Sequence, residues 1–371
     1  MKIATIFGTR PEIIRLSVII SRLDQLCDHT LVHTGQNYDP NLSDVFFTEL
    51  GVRPADEYWG VKSDSFAGQI AAILQGAGEF LESLRPDRVL ILGDTNSGLA
   101  AMIAARMQIP VYHMEAGNRC YDDRVPEEVN RRVIDHCSEV LMPYTHRSKE
   151  NLVREGIERH RIYVTGNPIK QVIDQYRPQI EASDVIGRLG LEPKRFVLTT
   201  MHRAENVDDE KRLRSLVDAL SLVHDAHSFP IVCSLHPRTR SRIEGFCVDI
   251  DRAGLRFLEP LGFFDFVRLE QEAWCILTDS GTVQEEACLF GRPNVTIRDV
   301  TERPETLEAG SNMLGGAQAE DVLQAVGTVT SDPSVWSVPV EYVVPNVAET
   351  VRRLILGYRV PDLSEQAWLQ T

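Results

Sequence analysis

Two acidic side chains in the first half of the chain stand where they could transfer protons. Asp94 follows the apolar run 88–92 after a single glycine, and Glu115 directly follows the run 111–114. A carboxyl group at the end of a buried run is desolvated, and two such groups close together cannot both ionise at low cost. One would hold its proton as an acid while the other stays a base. The alternative is structural, with each carboxylate capping a helix or pairing with an arginine.

A third candidate, Glu127, lies in Pro126-Glu127-Glu128, a sequence typical of the first turn of a helix. The helix dipole alone favours acidic residues at this position, so a purely structural role is again the alternative. Together with Asp94 and Glu115, Glu127 would complete a wall of carboxylates suited to acid and base chemistry.

Cations and small residues follow the apolar runs of the second half. His202 and His236 each come after such a run, while Ser280, Gly281 and Thr282 come after another and open a predicted helix. A small residue at a helix start leaves backbone N–H groups and the positive end of the helix dipole facing a ligand. We therefore expect an anion-binding wall in this half, with an ordinary helix cap as the alternative.

Arg10 stands just before Pro11, at the start of the first predicted helix. Its guanidinium fork suits a diphosphate and can also stack on a base, whereas a salt bridge to Glu12 is the structural alternative.

Two common nucleotide-binding signatures are missing. Gly93 and Gly98 have the spacing of a P-loop, but Leu99 and Ala100 stand where that motif requires lysine and a hydroxyl residue. No G-x-G-x-x-G pattern follows the first apolar run, which disfavours an NAD-dependent oxidoreductase.

The elements that must position these residues follow from hydrophobic periodicity. Short β-branched runs alternate with segments of 3.6-residue period, which predicts parallel βαβ units whose ligands bind at the carboxyl ends of the strands. The predicted strands are 3–7, 30–33, 88–92, 111–114 and 139–142, then 196–200, 231–234, 255–258, 275–278 and 294–297. The predicted helices lie near 11–26, 41–50, 67–84, 97–107, 126–136 and 146–155, then 208–224, 263–273 and 282–290.

The turn-rich break at 165–168 divides this pattern into two series, as expected for 371 residues at roughly 150 per domain. We predict an α/β protein in which two Rossmann-like domains, residues 1–167 and 168–345, face one another across a cleft. A last amphipathic helix, in the segment from about 346 to 371, could pack back on the first domain.

Composition excludes several classes of partner. The formal net charge is −15, without a basic tail, which argues against a nucleic-acid or membrane-surface partner. No run approaches the ~20 apolar residues that span a bilayer, so we expect a cytoplasmic protein. The seven scattered cysteines include no C-x-x-C pair, which favours reduced thiols over disulfides or a zinc site. We expect no metal and no cofactor.

Several motifs in combination strongly resemble the non-hydrolysing UDP-N-acetylglucosamine 2-epimerases. The likeness extends from residue 2 to about 358, with the motifs in order in both halves. They are Phe7-Gly8-Thr9-Arg10-Pro11-Glu12, Gly93-Asp94-Thr95, His113-Met114-Glu115-Ala116-Gly117, Pro126-Glu127-Glu128 with Asn130-Arg131, Asp279-Ser280-Gly281 with Gln284-Glu285-Glu286, and Glu302-Arg303-Pro304-Glu305.

The resemblance implies a glycosyltransferase-B type fold, a homodimer, and reversible inversion at C2 of a UDP-linked N-acetylhexosamine through loss and return of UDP. It implies that Asp94, Glu115 and Glu127 are the acid/base carboxylates and that His202, the fourth residue of the expected catalytic set, lies near the diphosphate. It places Arg10 and Phe266 about uracil, Ser280 and Gly281 at the diphosphate turn, and Glu286 at the ribose. The full substrate-binding set we expect is Arg10, Arg15, Arg131, His236, Phe266, Ser280, Gly281, Thr282, Glu286 and Arg303.

The sequence also departs from the main branch of that family. Arg15 stands where the main branch has lysine, and Thr282 where it has a second glycine. The interval from Glu115 to Glu127 is two residues shorter. These departures resemble the UDP-N-acetyl-L-fucosamine synthase branch, which implies a 6-deoxy-L-talose substrate as an alternative to UDP-N-acetylglucosamine. Gln36 matches one residue of the main branch's effector pocket but residues 37–39 do not, so we do not expect activation by a second substrate molecule.

Three other functions stay open at this point. A glycosyltransferase shares the expected fold but needs an acceptor. A hydrolysing 2-epimerase would release UDP and free sugar. A nucleotide-sugar binding module would leave the three carboxylates without a chemical role.

Overall fold

The computed structural model describes residues 1–36, 46–63, 65–331 and 336–358, and these form two six-stranded parallel sheets with helices on their faces. The first sheet has the order β3-β2-β1-β4-β5-β6 and the second the order β12-β11-β10-β7-β8-β9. The strands are β1 (Lys2–Phe7), β2 (Asp28–His33), β3 (Glu57–Tyr58), β4 (Arg88–Leu92), β5 (Val111–Met114), β6 (Val140–Met142), β7 (Val197–Met201), β8 (Ile231–Leu235), β9 (Leu255–Leu258), β10 (Cys275–Thr278), β11 (Asn294–Thr296) and β12 (Asn312–Leu314).

Both sheets follow the same winding. When β7 to β12 are counted from one to six, the second sheet has the same 3-2-1-4-5-6 order as the first, which is the Rossmann arrangement. In such a sheet the ligand crevice opens at the carboxyl ends of the two central strands, here β1 and β4 in one half and β7 and β10 in the other. The predicted α/β fold with two Rossmann-like halves is confirmed.

The α-helices of the first half cover both faces of its sheet, and short helices lead into the second half. The first-half helices are Arg10–Asp24, Phe66–Leu84, Ala100–Arg106, Pro126–Cys137 and His146–Arg154. The connecting helices are Ile169–Gln175, Arg177–Glu181 and Val185–Arg188. The later helices are Ala204–Val207, Glu210–His227, Pro237–Gly245, Phe263–Glu272, Gly281–Phe290, Pro304–Ala309, Ala319–Ser331 and Val347–Gly357.

The sequence pattern located the interior strands but missed short elements. Every predicted strand is present with ends shifted by at most two residues, whereas β3 and β12 were not predicted. Both are edge strands of two or three residues, too short for periodicity to register. The helices Pro237–Gly245, Pro304–Ala309 and Ala319–Ser331 were also missed, the first because it is almost entirely polar. The predicted helix at 41–50 falls partly outside the described residues.

The last described helix packs on the first half of the chain. Val347, Val351 and Ile355 are buried in one apolar cluster with Ile13 and Leu16 of the first helix. The helix Ile169–Gln175, just past the predicted boundary at 167/168, contributes Ile169, Val172 and Ile173 to the same cluster. The apolar side chains on both sides of this boundary are therefore buried together.

Within the described ranges, no helix combines the length and the apolar run that crossing a bilayer requires. The seven cysteines all lie in described parts of the chain and all are free thiols.

Candidate active site

Strand register brings the predicted residues to two facing edges. Leu92 at the end of β4 pairs with Met114 at the end of β5, so the turns carrying Asp94 and Glu115 are neighbours. In the other half Thr278 of β10 pairs with Thr200 of β7, which places Asp279 beside His202. Because carboxyl ends of parallel strands meet at one edge, each half presents a cluster of polar groups to the other.

Glu115 occupies an unusual backbone position. Its φ is +65°, in the left-handed region that residues other than glycine seldom adopt. Its N–H donates to the carbonyl of Met142 at 3.1 Å, which fixes the turn against the end of β6. Backbone strain of this kind is found preferentially where a side chain is held for function.

The Glu115 carboxylate belongs to a buried ring of two arginines and two glutamates. Arg15 and Arg303 each donate to Glu115, and each also donates to Glu285, with Arg15 Nη2 2.6 Å from Glu285 Oε2. Burial raises the pKa of Glu115, but the attraction of Arg15 and Arg303 more than offsets it and holds the pKa at about 2. Glu115 is therefore ionised, in a ring that joins the two halves.

The pKa of Asp94 is displaced in the opposite direction, upward. Arg131 contacts its carboxyl from Nε at 2.8 Å and from Nη2 at 2.7 Å. Burial raises the pKa of Asp94; Arg131 opposes this effect, while the negative charges of Glu115 and Glu127 add to it, and the pKa stays above its ordinary value. The pKa values of the two neighbouring carboxyls are thus displaced in opposite directions, although each carboxyl pairs with an arginine.

Glu127 reaches the other half of the chain. Arg203 Nη1 donates to it at 2.8 Å, and although burial raises the pKa of Glu127, Arg203 lowers it below the ordinary value. The adjacent Glu128 instead accepts the backbone N–H groups of Cys120 and Tyr121 at 3.0 and 3.1 Å. Of the two glutamates in this helix turn, only Glu127 faces the cleft residues of the second half.

The predicted anion wall is organised by Asp279. Its carboxylate accepts the backbone N–H groups of His202 and Arg203 at 2.8 and 2.9 Å and lies 3.0 Å from His202 Nδ1. The rings of His202 and His236 have centroids 5.6 Å apart. Burial, His202 and Arg10 lower the pKa of His236 to about 4, so His236 is neutral at pH 7.

The small-residue turn begins the helix Gly281–Phe290 beside the arginines of the ring. Ser280 N–H donates to Thr278 Oγ1 at 2.9 Å, and the Ser280 side chain does not cap the helix. A Cβ on Gly281 would lie 3.5 Å from the guanidinium carbon of Arg303. Thr282 Oγ1 accepts from Arg15 Nη2 at 2.9 Å, so the threonine that replaces the family's glycine has a partner.

The predicted nucleoside contacts are Arg10, Phe266 and Glu286. The guanidinium carbon of Arg10 is 5.4 Å from the ring centre of Phe46. Phe266 is partly buried against an apolar cluster of the second half. Glu286 is 4% exposed, and burial raises its pKa to about 8. The uracil and ribose roles of these three residues stay predictions. Residues 37–39 lie outside the described part of the chain.

Three charged partners were not singled out from the sequence: Arg203, Glu285 and Glu302. In the sequence, Arg203 directly follows the predicted site residue His202, and Glu285 and Glu302 each precede a predicted site residue. Glu302 lies 3.1 Å from Arg131 and joins it to the second half. Nothing in the sequence separates these residues from ordinary surface charges, because each has a partner in the other half of the chain.

Among the described residues, no group of three or more His, Cys, Asp or Glu side chains is arranged to hold a metal ion. The described site thus consists of three carboxyl groups, one with a raised pKa and two with lowered pKa values, and several cations on two facing walls. Such a site can move a proton on and off carbon while holding an anionic leaving group.

Comparison with known proteins agrees with this class of enzyme. The family model described as UDP-N-acetylglucosamine 2-epimerase matches residues 22–356. The UDP-N-acetylglucosamine 2-epimerase of Methanocaldococcus jannaschii is 38% identical over 349 residues, 91% of this chain and 95% of that protein. The UDP-2,3-diacetamido-2,3-dideoxy-D-glucuronate 2-epimerase of Pseudomonas aeruginosa is 36% identical over 332 residues, 88% of this chain and 92% of that protein.

Solved structures agree in fold. The M. jannaschii enzyme in complex with UDP-GlcNAc and UDP superposes with a TM-score of 0.92 at 37% identity, covering 96% of this chain and 99% of that one. The glycosyltransferase WaaG superposes with a TM-score of 0.57 at 14% identity, which shows the shared glycosyltransferase-B type fold alone.

Fold and site together define an isomerase of the nucleotide-sugar epimerase class. The chain belongs to the non-hydrolysing UDP-N-acetylglucosamine 2-epimerase family.

Proposed function

We propose that this enzyme reversibly inverts C2 of a UDP-N-acetylhexosamine by eliminating UDP and adding it back. The observation that supports this most directly is the pair of neighbouring carboxyls whose pKa values are displaced in opposite directions, Asp94 upward and Glu115 downward. In such a pair, the carboxyl with the higher pKa holds a proton more readily and the other stays a carboxylate.

The chemistry requires departure of the diphosphate. The C2 hydrogen of an N-acetylhexosamine is not next to a carbonyl, so its removal to a free carbanion would be prohibitively slow. If a base takes the C2 proton while the bond from C1 to the diphosphate oxygen breaks, the electrons form a C1=C2 double bond and the product is a 2-acetamidoglycal. Re-addition of UDP at C1, with a proton delivered to the opposite face of C2, gives the epimer.

Each wall has a role in this scheme. Asp94, Glu115 and Glu127 form the proton-transfer set, in which the pKa of Asp94 is raised and those of the two glutamates are lowered. Acid/base groups of this kind each contribute ~10²–10⁴ in rate. Residues of the opposite wall would stabilise UDP as it leaves and hold it for return. These residues are His202, His236, Arg303, Ser280, Gly281 and Thr282, with Arg10, Phe266 and Glu286 about the nucleoside and Arg15 and Arg131 holding the carboxylates.

The M. jannaschii relative is named for UDP-N-acetylglucosamine, and we propose the UDP-N-acetylglucosamine and UDP-N-acetylmannosamine pair as the first substrate to test. UDP-2-acetamido-2,6-dideoxy-L-talose is the second candidate. It is favoured by Arg15 and Thr282, two of the departures from the main branch, which contact each other at 2.9 Å beside Glu115. The role we propose is in bacterial surface polysaccharide synthesis.

The assay is direct. Purified protein is incubated with each UDP-sugar, and the C2 epimers are separated by anion-exchange chromatography. Interconversion from either direction, with no acceptor added and no accumulation of free UDP by phosphorus NMR, is the expected result. Stoichiometric free UDP would instead indicate the hydrolysing reaction, and turnover only with an added acceptor would indicate a transferase.

We also propose a homodimer in the cytoplasm, as the family resemblance implies. Light scattering of the purified protein tests the first proposal, with a mass near twice the 41.8 kDa of the chain expected. A monomer at enzyme concentrations that support full activity would contradict it.

A further inference from the structure

One helix carries groups that serve all three candidate carboxylates. On Pro126–Cys137, Glu127, Arg131 and Asp135 are spaced four residues apart and so lie along one face. Glu127 is a candidate itself, Arg131 binds Asp94, and the preceding Asn130 donates to the carbonyl of Asp94 at 2.9 Å. Asp135, at the end of this face, is fully buried and touches none of the three carboxyls.

Asp135 instead binds the turn that carries Glu115. Its Oδ2 accepts the backbone N–H of Gly117 at 3.1 Å and lies 2.8 Å from Arg119 Nη2. Gly117 has a φ of +78°, and a Cβ there would come within 2.3 Å of the Ser148 carbonyl, so the turn can adopt this path only with glycine. The Asp135 carboxylate therefore fixes the backbone two residues after Glu115.

His113 connects Asp135 to the Asp94 turn. The ring is 1% exposed, with Nδ1 2.8 Å from Asp135 Oδ1 and Nε2 2.8 Å from the carbonyl oxygen of Gly93, the residue before Asp94. A carbonyl oxygen only accepts, and an ionised carboxylate only accepts, so both ring nitrogens must carry hydrogen. The surrounding charges agree, because a cationic His113 and Arg119 balance the carboxylates of Asp135 and the partly exposed Glu155.

We propose that His113 and Asp135 are positioning residues, a buried imidazolium–carboxylate pair that fixes the Asp94 turn and the Glu115 turn relative to each other. The link runs from the Gly93 carbonyl through His113 and Asp135 to the N–H of Gly117. It begins next to Asp94 and ends two residues after Glu115, and His113 lies on β5 between them. The effect on turnover rests on the proposed function, whereas the protonation of the ring does not. Misplacing a reacting group by about 1 Å costs on the order of 10² in rate.

Two substitutions separate the two ends of the link. The amide of His113→Asn overlies Nδ1 and can still donate to Asp135, whereas that of His113→Gln overlies Nε2 and can still donate to the Gly93 carbonyl. Asp135→Asn removes the charge at the centre. We expect each variant to lose on the order of 10- to 100-fold in kcat, with KM and the dissociation constant of UDP within about threefold of wild type.

A matched control lies at the opposite end of the same sheet. His29 has the same pattern, with Nδ1 2.7 Å from Asp24 Oδ1, Nε2 2.8 Å from Thr5 Oγ1 and a side chain that is 1% exposed. His29→Gln should lower the melting temperature as His113→Gln does, with kcat per folded molecule unchanged. A loss confined to the His113 and Asp135 variants identifies positioning rather than general destabilisation.

A measurement on the wild-type enzyme keeps the proposal testable if the variants fail to fold. With ¹⁵N-labelled histidine, the His113 ring, assigned through its contacts with Asp135 and Gly93, should show a directly bonded hydrogen on both nitrogens at pH 7.5. A ring with one unprotonated nitrogen would overturn the proposal. So would His113 variants whose kcat stays within threefold of wild type. A wild-type enzyme that fails to epimerise any UDP-sugar would instead count against the proposed function.

Discussion

Removing Arg303 tests the buried ring that ionises Glu115. The drop in the pKa of Glu115 from 4.5 to about 2 corresponds to about 3 kcal/mol of preferential stabilisation of its ionised form. Arg15 and Arg303 share this effect through similar contacts, so each accounts for roughly half of it, or about 1.5 kcal/mol or more once burial is overcome. Arg303→Met also leaves Glu285 with Arg15 as its remaining ring partner.

The assay is a double-mutant cycle of Arg303→Met with Glu115→Gln, using the free energy of unfolding from urea titration at pH 7. We expect a coupling energy of about 1.5–2 kcal/mol and a loss of at least tenfold in kcat/KM for Arg303→Met. The matched control is the cycle of Arg147→Met with Glu308→Gln. That ion pair also joins the two halves, but its side chains are 49% and 63% exposed. An exposed pair contributes about 0–1 kcal/mol.

The outcome that refutes this reasoning is equal coupling in the two cycles. It would mean that the ring is no stronger than a surface ion pair and does not determine the charge of Glu115. A large coupling energy with unchanged kcat/KM would mean that the ring only stabilises the fold. Glu115 would then not belong to the proton-transfer set.

Three further perturbations separate roles within the site. Asp94→Asn should lower kcat by about 10²–10⁴ with UDP affinity within threefold, and a raised KM at constant kcat would show a binding role instead. Glu127→Gln should reduce kcat, whereas the adjacent Glu128→Gln should mainly reduce the melting temperature; the reverse pattern would exchange their roles. Burial raises the folded-state pKa of Glu286 to about 8, so the stabilisation from its bound proton is lost as pH rises from 4.5 through 8. Glu270→Gln removes the buried carboxyl that faces Glu286. It should therefore raise the melting temperature more at pH 8 to 9 than at pH 5. An equal change in melting temperature at both pH values would contradict this linkage.

The sequence was sufficient to place the candidate carboxylates and much less informative about their partners. Asp94 and Glu115 could be found because each ends a buried run, and parallel strands bring such ends to one edge. The arginines that pair with these carboxylates could not be found in this way. Arg303 and Glu115 are 188 residues apart, and Arg203 and Glu127 are 76 apart. No local pattern encodes these pairs, because they depend on how the two sheets meet.

The inner strands and the edge strands differ for a related reason. β4, β5 and β10 are mostly apolar runs buried along nearly their whole length, and they were predicted with their observed bounds. β3 consists of two exposed residues and is a strand only through its parallel pairing with β2. The path of Gly117 and the positive φ of Glu115 are likewise set by tertiary contacts, so the link through His113 and Asp135 could not be found from spacing alone.

The central claim is that UDP leaves and the C2 proton exchanges during epimerisation. Its most direct test is to incubate the enzyme with UDP-N-acetylglucosamine, and separately with the 6-deoxy-L-talose derivative, in heavy water and to follow C2 by proton NMR. We predict that deuterium enters C2 of both substrate and product during interconversion. Epimerisation with C2 hydrogen fully retained would contradict elimination and re-addition.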